Sequence, residues 1–202
     1  MHRRTLSQFA SSAWSSVEGL AGLEVVITAI AKGAGRVHEQ IQSAALADVL
    51  GTTGSTNVHG EVVQKLDSAG SDIFVEVLSE SGRVAAVGSE EIEEAVIEGD
   101  DPRQAYIVQM DPIDGSSNID VAISIGSIFG IWRREGSDPV TAALLLRPGS
   151  EQVAAAYVIY GSSTVLVVAT RGSVNGFTFD PETGAFALTH EDIKLPEKCE
   201  YY

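Results

Sequence analysis

Apolar side chains recur at helical spacing in the first third of the chain. One such stretch predicts an amphipathic helix over about residues 20–50, and another predicts a helix over about residues 61–78. Gly51 and Gly54 are expected to end the first helix, and Asn57 is expected to cap the second. Two long helices are therefore predicted to precede the remaining elements.

The rest of the chain carries short runs of β-branched and aromatic residues, which are typical of strands. The runs are residues 84–87, 105–110, 123–132, 153–160, 165–170, 177–180 and 185–188. The last two flank Pro-Glu-Thr-Gly, a sequence typical of a hairpin turn. Helices followed by strands predict an α+β fold in which helices are layered on a sheet. Residues 1–16 are interpreted as an ordinary polar first segment.

Composition excludes several classes of function. The chain has 202 residues, of which 44% are hydrophobic and 20% charged, so a globular domain is expected. Its net charge of −15 gives it no electrostatic reason to bind nucleic acid or an anionic membrane. The apolar runs are too short to span a bilayer. The single cysteine, Cys199, excludes an intramolecular disulfide and suits a reducing compartment such as the cytoplasm.

The most informative segment is residues 111–120, Asp-Pro-Ile-Asp-Gly-Ser-Ser-Asn-Ile-Asp, which follows a predicted strand. Asp111 and Asp114 could direct two carboxylates to one point, and the carbonyl of Ile113 could add a third oxygen. Such hard oxygens are the ligands that Mg²⁺ prefers. Gly115 permits close backbone approach, and the amides after it could bind a phosphate if they open a helix.

Further acids lie upstream. Glu90 and Glu91 follow a short predicted strand, and Glu61 and Asp67 lie near the start of the second predicted helix. Taken singly, such acids have simpler explanations as solvated turns or helix faces. Close carboxylates raise one another's pKa, and a divalent cation removes that cost. In combination the acids therefore favour a cation site that carries a phosphorylated substrate.

Together these motifs resemble the fructose-1,6-bisphosphatase family of magnesium-dependent, lithium-sensitive phosphatases. The resemblance rests on the ten-residue acidic segment, on Ser-Ile-Phe-Gly-Ile from Ser127, on Ser-Glu-Glu ending at Glu91 and on Gly-Ser-Thr-Asn-Val from Gly54. It covers about residues 23–202. It implies that residues 1–202 form the N-terminal, metal-binding domain of that fold.

The resemblance also implies metal ligands. Glu90, Asp111 and Asp114, with the carbonyl of Ile113, would bind Mg²⁺, for which Mn²⁺ could substitute.

Roles in the reaction follow from the same resemblance. Asp67 and Glu91 would position and deprotonate the attacking water, and Glu61 would lie beside a further metal. The residues implied to contact the substrate phosphate are Asp114, Gly115, Ser116 and Ser117.

The implied reaction is the hydrolysis of the 1-phosphate of fructose 1,6-bisphosphate, as in gluconeogenesis or the Calvin cycle, by direct attack of activated water. The family typically forms homotetramers. Sedoheptulose 1,7-bisphosphate remains an alternative substrate, and a non-catalytic regulatory or assembly module remains an alternative function. Ser-Ser-Asn-Ile-Asp argues against an inositol-phosphate or nucleotide 3′-phosphatase.

Family members continue beyond the position of Tyr202 into a second domain that grips the sugar and its 6-phosphate. We therefore expect this chain alone to bind metal weakly and to catalyse poorly. Tyr106 and Arg133 match family positions that contact AMP, but the companion lysine is replaced by Ala105. We expect Tyr106 to pack beside its strand and Arg133 to be solvated.

Overall fold

The computed structural model describes residues 3–43, 52–56, 62–99, 101–121, 123–134 and 139–198. The α-helices in these ranges are α1 (Leu6–Ala13), α2 (Leu23–Ser43) and α3 (Lys65–Glu80). The strands are β1 (Thr52–Thr56), β2 (Val62–Gln64), β3 (Val84–Ser89), β4 (Val96–Ile97), β5 (Tyr106–Asp114), β6 (Ile125–Arg133), β7 (Gln152–Tyr160), β8 (Thr164–Thr170), β9 (Val174–Asp180) and β10 (Ala185–His190). Short 3-10 helices span Ser116–Val121, Ala142–Leu145 and Gly149–Glu151.

Eight of these strands form one mixed sheet in the order β10-β9-β8-β7-β6-β5-β3-β4. Strands β3 and β5 run parallel, and the other neighbouring pairs in this sheet are antiparallel. Strands β1 and β2 form a separate antiparallel pair. The α+β fold class predicted from the sequence is confirmed.

The three helices share one hydrophobic core with a single face of the sheet. Phe74 of α3 and Phe129 of β6 meet there in an edge-to-face contact, with ring centroids 4.9 Å apart. Gly33 lets α2 approach this pair, because an added Cβ would lie 2.6 Å from the Phe74 ring. Aromatic packing therefore fixes α2 and α3 on the sheet.

The opposite face of the sheet is covered only in part by described residues. A small cluster lies beneath the turn Ala142–Leu145, and its members are Ala86, Ile107 and Trp132. Along β6 and β7 this face exposes three large apolar side chains: Ile128, Tyr157 and Ile159. We call it the open face of the sheet.

Two predicted helix boundaries were wrong. The first helix begins at Leu23. The second begins at Lys65, because Val62–Gln64 pairs with β1 as a strand. Gly54 lies inside β1 and ends no helix. The end predicted at Gly51, the cap predicted at Asn57 and the cysteine Cys199 lie outside the described residues.

The N-terminal segment, for which no element was predicted, contains α1. The Gln8 N–H donates to Thr5 Oγ1 at 3.3 Å, and the Thr5 N–H donates to Gln8 Oε1 at 3.0 Å. Leu6 and Phe9 are buried against the sheet side of the core. The Thr-x-x-Gln spacing of this capping box was the signal in the sequence.

The predicted strands are present, with one boundary that bears on the candidate site. Strand β5 continues beyond Asp111 to Asp114, whereas the sequence predicted that it ends at Asp111. The predicted hairpin joins β9 and β10, where Asp180 pairs with Ala185. In the part of the chain that the structure describes, no helix has the length and apolar character needed to cross a membrane.

Candidate metal-binding site

Those predicted acids that the structure describes lie at or near the carboxyl ends of the parallel strands β3 and β5. The Glu90 N–H donates to the Met110 carbonyl at 3.3 Å, so the turn after β3 lies against β5 just before Asp111. Asp67, in the first turn of α3, is buried with 3% of its surface exposed. Because β3 and β5 are adjacent and parallel, residues that are distant in the chain arrive at one edge.

A β-bulge in β5 turns Asp111 and Asp114 to the same face of the sheet. Asp111 pairs with Ile128 and Asp114 with Gly126, so two β5 residues lie opposite the single residue Ser127. Residues three apart in a regular strand point to opposite faces, whereas residues two apart share a face. Ile128 and Gly126 are two residues apart in β6 and so share the open face, on which Ile128 is exposed. Since cross-strand partners share a face, the bulge places both aspartates on the open face.

The core side of the bulge packs against α3. Met110 and Ile113, also three residues apart, both belong to the hydrophobic core, as the shifted alternation requires. Gly70 makes this approach possible, because an added Cβ there would lie 2.9 Å from Cγ1 of Ile113. The absence of a side chain at position 70 therefore fixes the distance between α3 and the acidic loop.

The charges of the acids interact strongly. The pKa of Asp111 is raised from 3.8 to about 7, first by burial and then by the charges of Glu90 and Asp114, with a smaller effect from Asp67. The Ile113 N–H opposes this shift by donating to Asp111 Oδ1 at 3.1 Å. The structure thus brings together acids from three separate stretches of the chain.

The donor set fits a hard divalent cation. Within the described ranges, no three carboxylate, imidazole or thiol groups already stand in complete ligand geometry, so the side chains must adjust to bind an ion. The available oxygens are of the type that Mg²⁺ prefers, and a cation would relieve the repulsion that raises the pKa of Asp111. Glu61 lies outside the described residues.

The turn that carries Glu90 and Glu91 is tied to α3 by serines. The Glu91 N–H donates to Ser89 Oγ at 3.4 Å. Ser89 Oγ lies 2.9 Å from Oγ of Ser71, which is buried on α3. These hydroxyls hold the glutamate turn in place, and sequence reasoning gave Ser71 no role.

The segment after Asp114 forms a helical turn, which is the condition under which its amides were expected to bind a phosphate. Gly115 has a φ of +79°, which favours glycine, and a 3-10 helix of six residues follows from Ser116. The Asn118 N–H donates to the Gly115 carbonyl at 2.8 Å. Ser116 is half-buried and Ser117 is exposed, so the backbone that was predicted to hold a phosphate begins at an accessible turn.

Sequence reasoning also missed two buried hydroxyls beneath the bulge. Ser127 Oγ lies 2.6 Å from the Pro112 carbonyl oxygen and 3.0 Å from the Tyr160 hydroxyl. Ser127 has no exposed surface, and Tyr160 is 4% exposed. A polar residue opposite a proline-containing strand was the only signal, and it needs the register of β5 and β6 to be recognised.

The prediction for Tyr106 is confirmed, and the prediction for Arg133 is wrong. Tyr106 is fully buried in β5, and its hydroxyl donates to the Ala21 carbonyl at 3.0 Å. Arg133 is half-buried rather than solvated, and its Nη1 donates to the Gly19 carbonyl at 3.0 Å. It contributes with Trp14, Arg147 and Arg171 to the wall of a cavity of about 690 Å³.

Comparison with known proteins shows the family to which this helix-on-sheet fold belongs. Residues 4–191 match the family described as Fructose-1-6-bisphosphatase, N-terminal domain. The chain belongs to the fructose-1,6-bisphosphatase family.

The relatives show how much of the family's length is represented. The chain is 53% identical to fructose-1,6-bisphosphatase class 1 of Sorangium cellulosum over 171 residues, which are 82% of this chain and 48% of that protein. It is 43% identical to the cytosolic fructose-1,6-bisphosphatase of Arabidopsis thaliana, over 98% of this chain and 58% of that protein. The chain thus spans about half the length of the curated relatives that it matches.

Solved structures agree with the fold. The crystal structure of Leishmania major fructose-1,6-bisphosphatase in holo form matches 98% of this chain with a TM-score of 0.89 and 32% sequence identity. The matched part is 62% of the Leishmania chain. The helix-on-sheet architecture described above is therefore shared with a member of the family.

Proposed function

We propose that this chain supplies the metal-binding and water-activating part of a fructose-1,6-bisphosphatase. The reaction is hydrolysis of the 1-phosphate of fructose 1,6-bisphosphate to give fructose 6-phosphate and inorganic phosphate. The observation that carries the proposal is the proximity of Asp67, Glu90, Asp111 and Asp114 near the ends of β3 and β5, where burial and the neighbouring negative charges together raise the pKa of Asp111 to about 7. Membership of the family supplies the substrate class.

The oxygen donors on the open face would hold Mg²⁺, or Mn²⁺ in its place. Glu90, Asp111 and Asp114 supply carboxylates, and the Ile113 carbonyl supplies a neutral oxygen. A bound divalent ion would lower the pKa of a coordinated water and offset negative charge on the phosphoryl group. The bulge supports this assignment, because it gives Asp111 and Asp114 the same face.

The remaining residues act on the water and on the phosphate. Asp67 and Glu91 would orient the attacking water and accept the proton that it loses. The water oxygen would attack phosphorus in line, the bond from phosphorus to the sugar O1 would break with its electron pair going to O1, and O1 would take up a proton from solvent to become the free hydroxyl. Backbone amides of Gly115 and Ser116, with Ser117, would donate hydrogen bonds to the phosphoryl oxygens. Glu61 would lie beside a further metal.

The sugar and its 6-phosphate would be bound by a region that corresponds to the remaining length of the relatives. Support comes from coverage, since the chain matches 48% of the Sorangium protein and 58% of the Arabidopsis protein. We also propose a cytoplasmic location, in line with the name of the Arabidopsis relative, and assembly into a homotetramer. Light scattering on the purified chain would test the assembly.

A chimaera tests the function directly. The chain would be joined after Tyr202 to the remaining part of the Sorangium relative, and phosphate release would be measured with Mg²⁺ and with a chelator. We expect Mg²⁺-dependent release from fructose 1,6-bisphosphate. Asp111→Asn should lower kcat by more than ~100-fold, because ~100-fold is the loss expected when a residue that only hydrogen-bonds to a metal ligand is removed, and Asp111 is proposed as a ligand itself. Asp101→Asn is the matched control, because Asp101 is paired with Arg103.

The outcomes separate the alternatives. Faster phosphate release from sedoheptulose 1,7-bisphosphate than from fructose 1,6-bisphosphate would make the former the substrate. A folded chimaera that is inactive on both sugars would favour a non-catalytic module. Full activity of the Asp111→Asn chimaera would contradict the assigned site.

A further inference from the structure

Two buried hydroxyls form a hydrogen-bonded series beneath the bulge. The Pro112 carbonyl can only accept a hydrogen bond, so Ser127, at 2.6 Å, must use its single proton on it. The contact of 3.0 Å between Ser127 and Tyr160 then requires the Tyr160 hydroxyl to donate. The sequence of donors is therefore fixed as Tyr160 to Ser127 to Pro112.

This series of side-chain hydrogen bonds takes the place of a backbone hydrogen bond between β5 and β6 that the bulge interrupts. Pro112 and Ile113 lie opposite the single residue Ser127, where the regular pairing of β5 and β6 is interrupted. Pro112 is buried, and a buried carbonyl that loses its partner is unfavourable. Ser127 is the residue whose side chain faces the core at that point, so its hydroxyl supplies the missing donor.

We infer that Ser127 and Tyr160 are positioning residues of the acidic site. They hold the Pro112 carbonyl, and thereby the peptide units that join Asp111 to Asp114, in the bulged conformation that gives both carboxylates one face. The inference rests on the proposed function only for the identity of the cation.

The environment of Tyr160 suits a permanent donor. Its ring is buried in the main core, and burial raises the pKa of its phenol above the ordinary value. The hydroxyl therefore keeps its proton over the pH range in which carboxylates bind metal. Neither hydroxyl touches the open face, because both residues belong to the core face of their strands.

Variants at position 127 isolate the hydroxyl. Ser127→Thr and Ser127→Val have nearly the same shape and differ in whether a donor is present. Ser127→Ala, compared with the unaltered chain, gives the same contrast without added volume. Tyr160→Phe removes the outer donor. Thr178→Val is the control, because it breaks a hydrogen bond between the hydroxyls of Thr178 and Thr189, 3.0 Å apart, in the β9–β10 pair at the other edge of the sheet.

Two measurements on the full chain report positioning. The Mn²⁺ dissociation constant is measured by calorimetry, and amide hydrogen exchange at Ile113 is measured by NMR in metal-free protein. The Ile113 N–H reports the loop because it donates to Asp111 Oδ1. Cooperative urea unfolding of each variant confirms that it is folded.

We expect Ser127→Val to bind Mn²⁺ ~10-fold more weakly than Ser127→Thr, and its Ile113 amide to exchange faster. Tyr160→Phe should act in the same direction with a smaller effect. Because the hydroxyls act in series, Ser127→Val/Tyr160→Phe should be no worse than Ser127→Val alone. Thr178→Val should change neither measurement.

The inference is overturned if Ser127→Val and Ser127→Thr have equal Mn²⁺ affinity and equal amide exchange at Ile113, and if Ser127→Ala matches the unaltered chain in both measurements. A folded chain that binds no Mn²⁺ would instead remove the proposed function. In that case Ile113 exchange would still decide whether the hydroxyls hold the bulge.

Discussion

Replacing Asp111 with asparagine should stabilise the metal-free protein while it removes the cation site. Burial of the side chain and, after it, the charges of the neighbouring carboxylates raise its pKa from 3.8 to about 7. Asparagine keeps the oxygen that accepts the Ile113 N–H and removes the charge. The substitution thus separates the electrostatic cost of the site from its hydrogen bonding.

The size and the pH dependence of the effect follow from linkage. The folded protein holds this proton more tightly than the unfolded chain, so its stability falls as pH rises from about 4 to about 7. The pKa difference corresponds to at most about 4 kcal/mol between the two protonation states. Because Asp111 is only half-buried and water screens it, we expect ~1–2 kcal/mol of unfolding free energy.

Urea unfolding with a chelator at pH 5 and pH 8 would measure this effect. We expect the unfolding free energy of Asp111→Asn to exceed that of the unaltered chain by ~1–2 kcal/mol at pH 8. At pH 5 the excess should be about a third as large, because only about one of the three pH units between the unfolded and folded pKa values of Asp111 has been crossed. Added Mg²⁺ should stabilise the unaltered chain and not the variant. Asp101→Asn is the control, since Arg103 lowers the pKa of Asp101 to about 2 and no gain is expected.

The explanation is refuted if metal-free Asp111→Asn is no more stable than the unaltered chain at pH 8. It is also refuted if the gain is the same at both pH values, because packing would then account for it.

Three further predictions concern the packing that supports the site. Gly70→Ala would place a Cβ 2.9 Å from Ile113, so we expect the protein to be destabilised by ~1–3 kcal/mol and to bind Mn²⁺ more weakly in calorimetry. Gly172→Ala is the control, because Gly172 has open space around it, and it should change neither quantity. Phe74→Ala removes a fully buried ring from the contact between α3 and the sheet, and should cost ~3–5 kcal/mol in urea unfolding. Lys32→Ala breaks an exposed ion pair with a carboxylate on α3, and a loss above ~1 kcal/mol would contradict its exposure.

The elements of the fold were predictable where local signals are strong. Strands β3 and β5 to β10 and the helices α2 and α3 follow from apolar spacing, and the β9–β10 hairpin follows from its turn residues, whereas the short strands β1, β2 and β4 were not predicted. The start of α3 was misplaced because Val62–Gln64 pairs with β1, a tertiary contact that helical spacing cannot reveal. Helix α1 was missed although its Thr5 and Gln8 form a capping box.

The candidate acids were predictable as residues but not as an arrangement. Their types and spacing indicate a cation, whereas their proximity depends on β3 and β5 being adjacent and parallel. The sequence predicted a strand that ends at Asp111, and the structure continues it through a bulge to Asp114. Pro112, which lacks an N–H, marks the irregularity. The partner Ser127 becomes visible only once the register with β6 is known.

The candidate metal site can be tested with a crystal of the chain soaked in Mn²⁺ and measured by anomalous scattering. We expect an anomalous peak on the open face at the ends of β3 and β5, within ligand distance of Asp111 and Asp114 and with Glu90 turned toward it. A fully soaked crystal with no peak there, and with the two aspartates directed apart, would contradict this expectation.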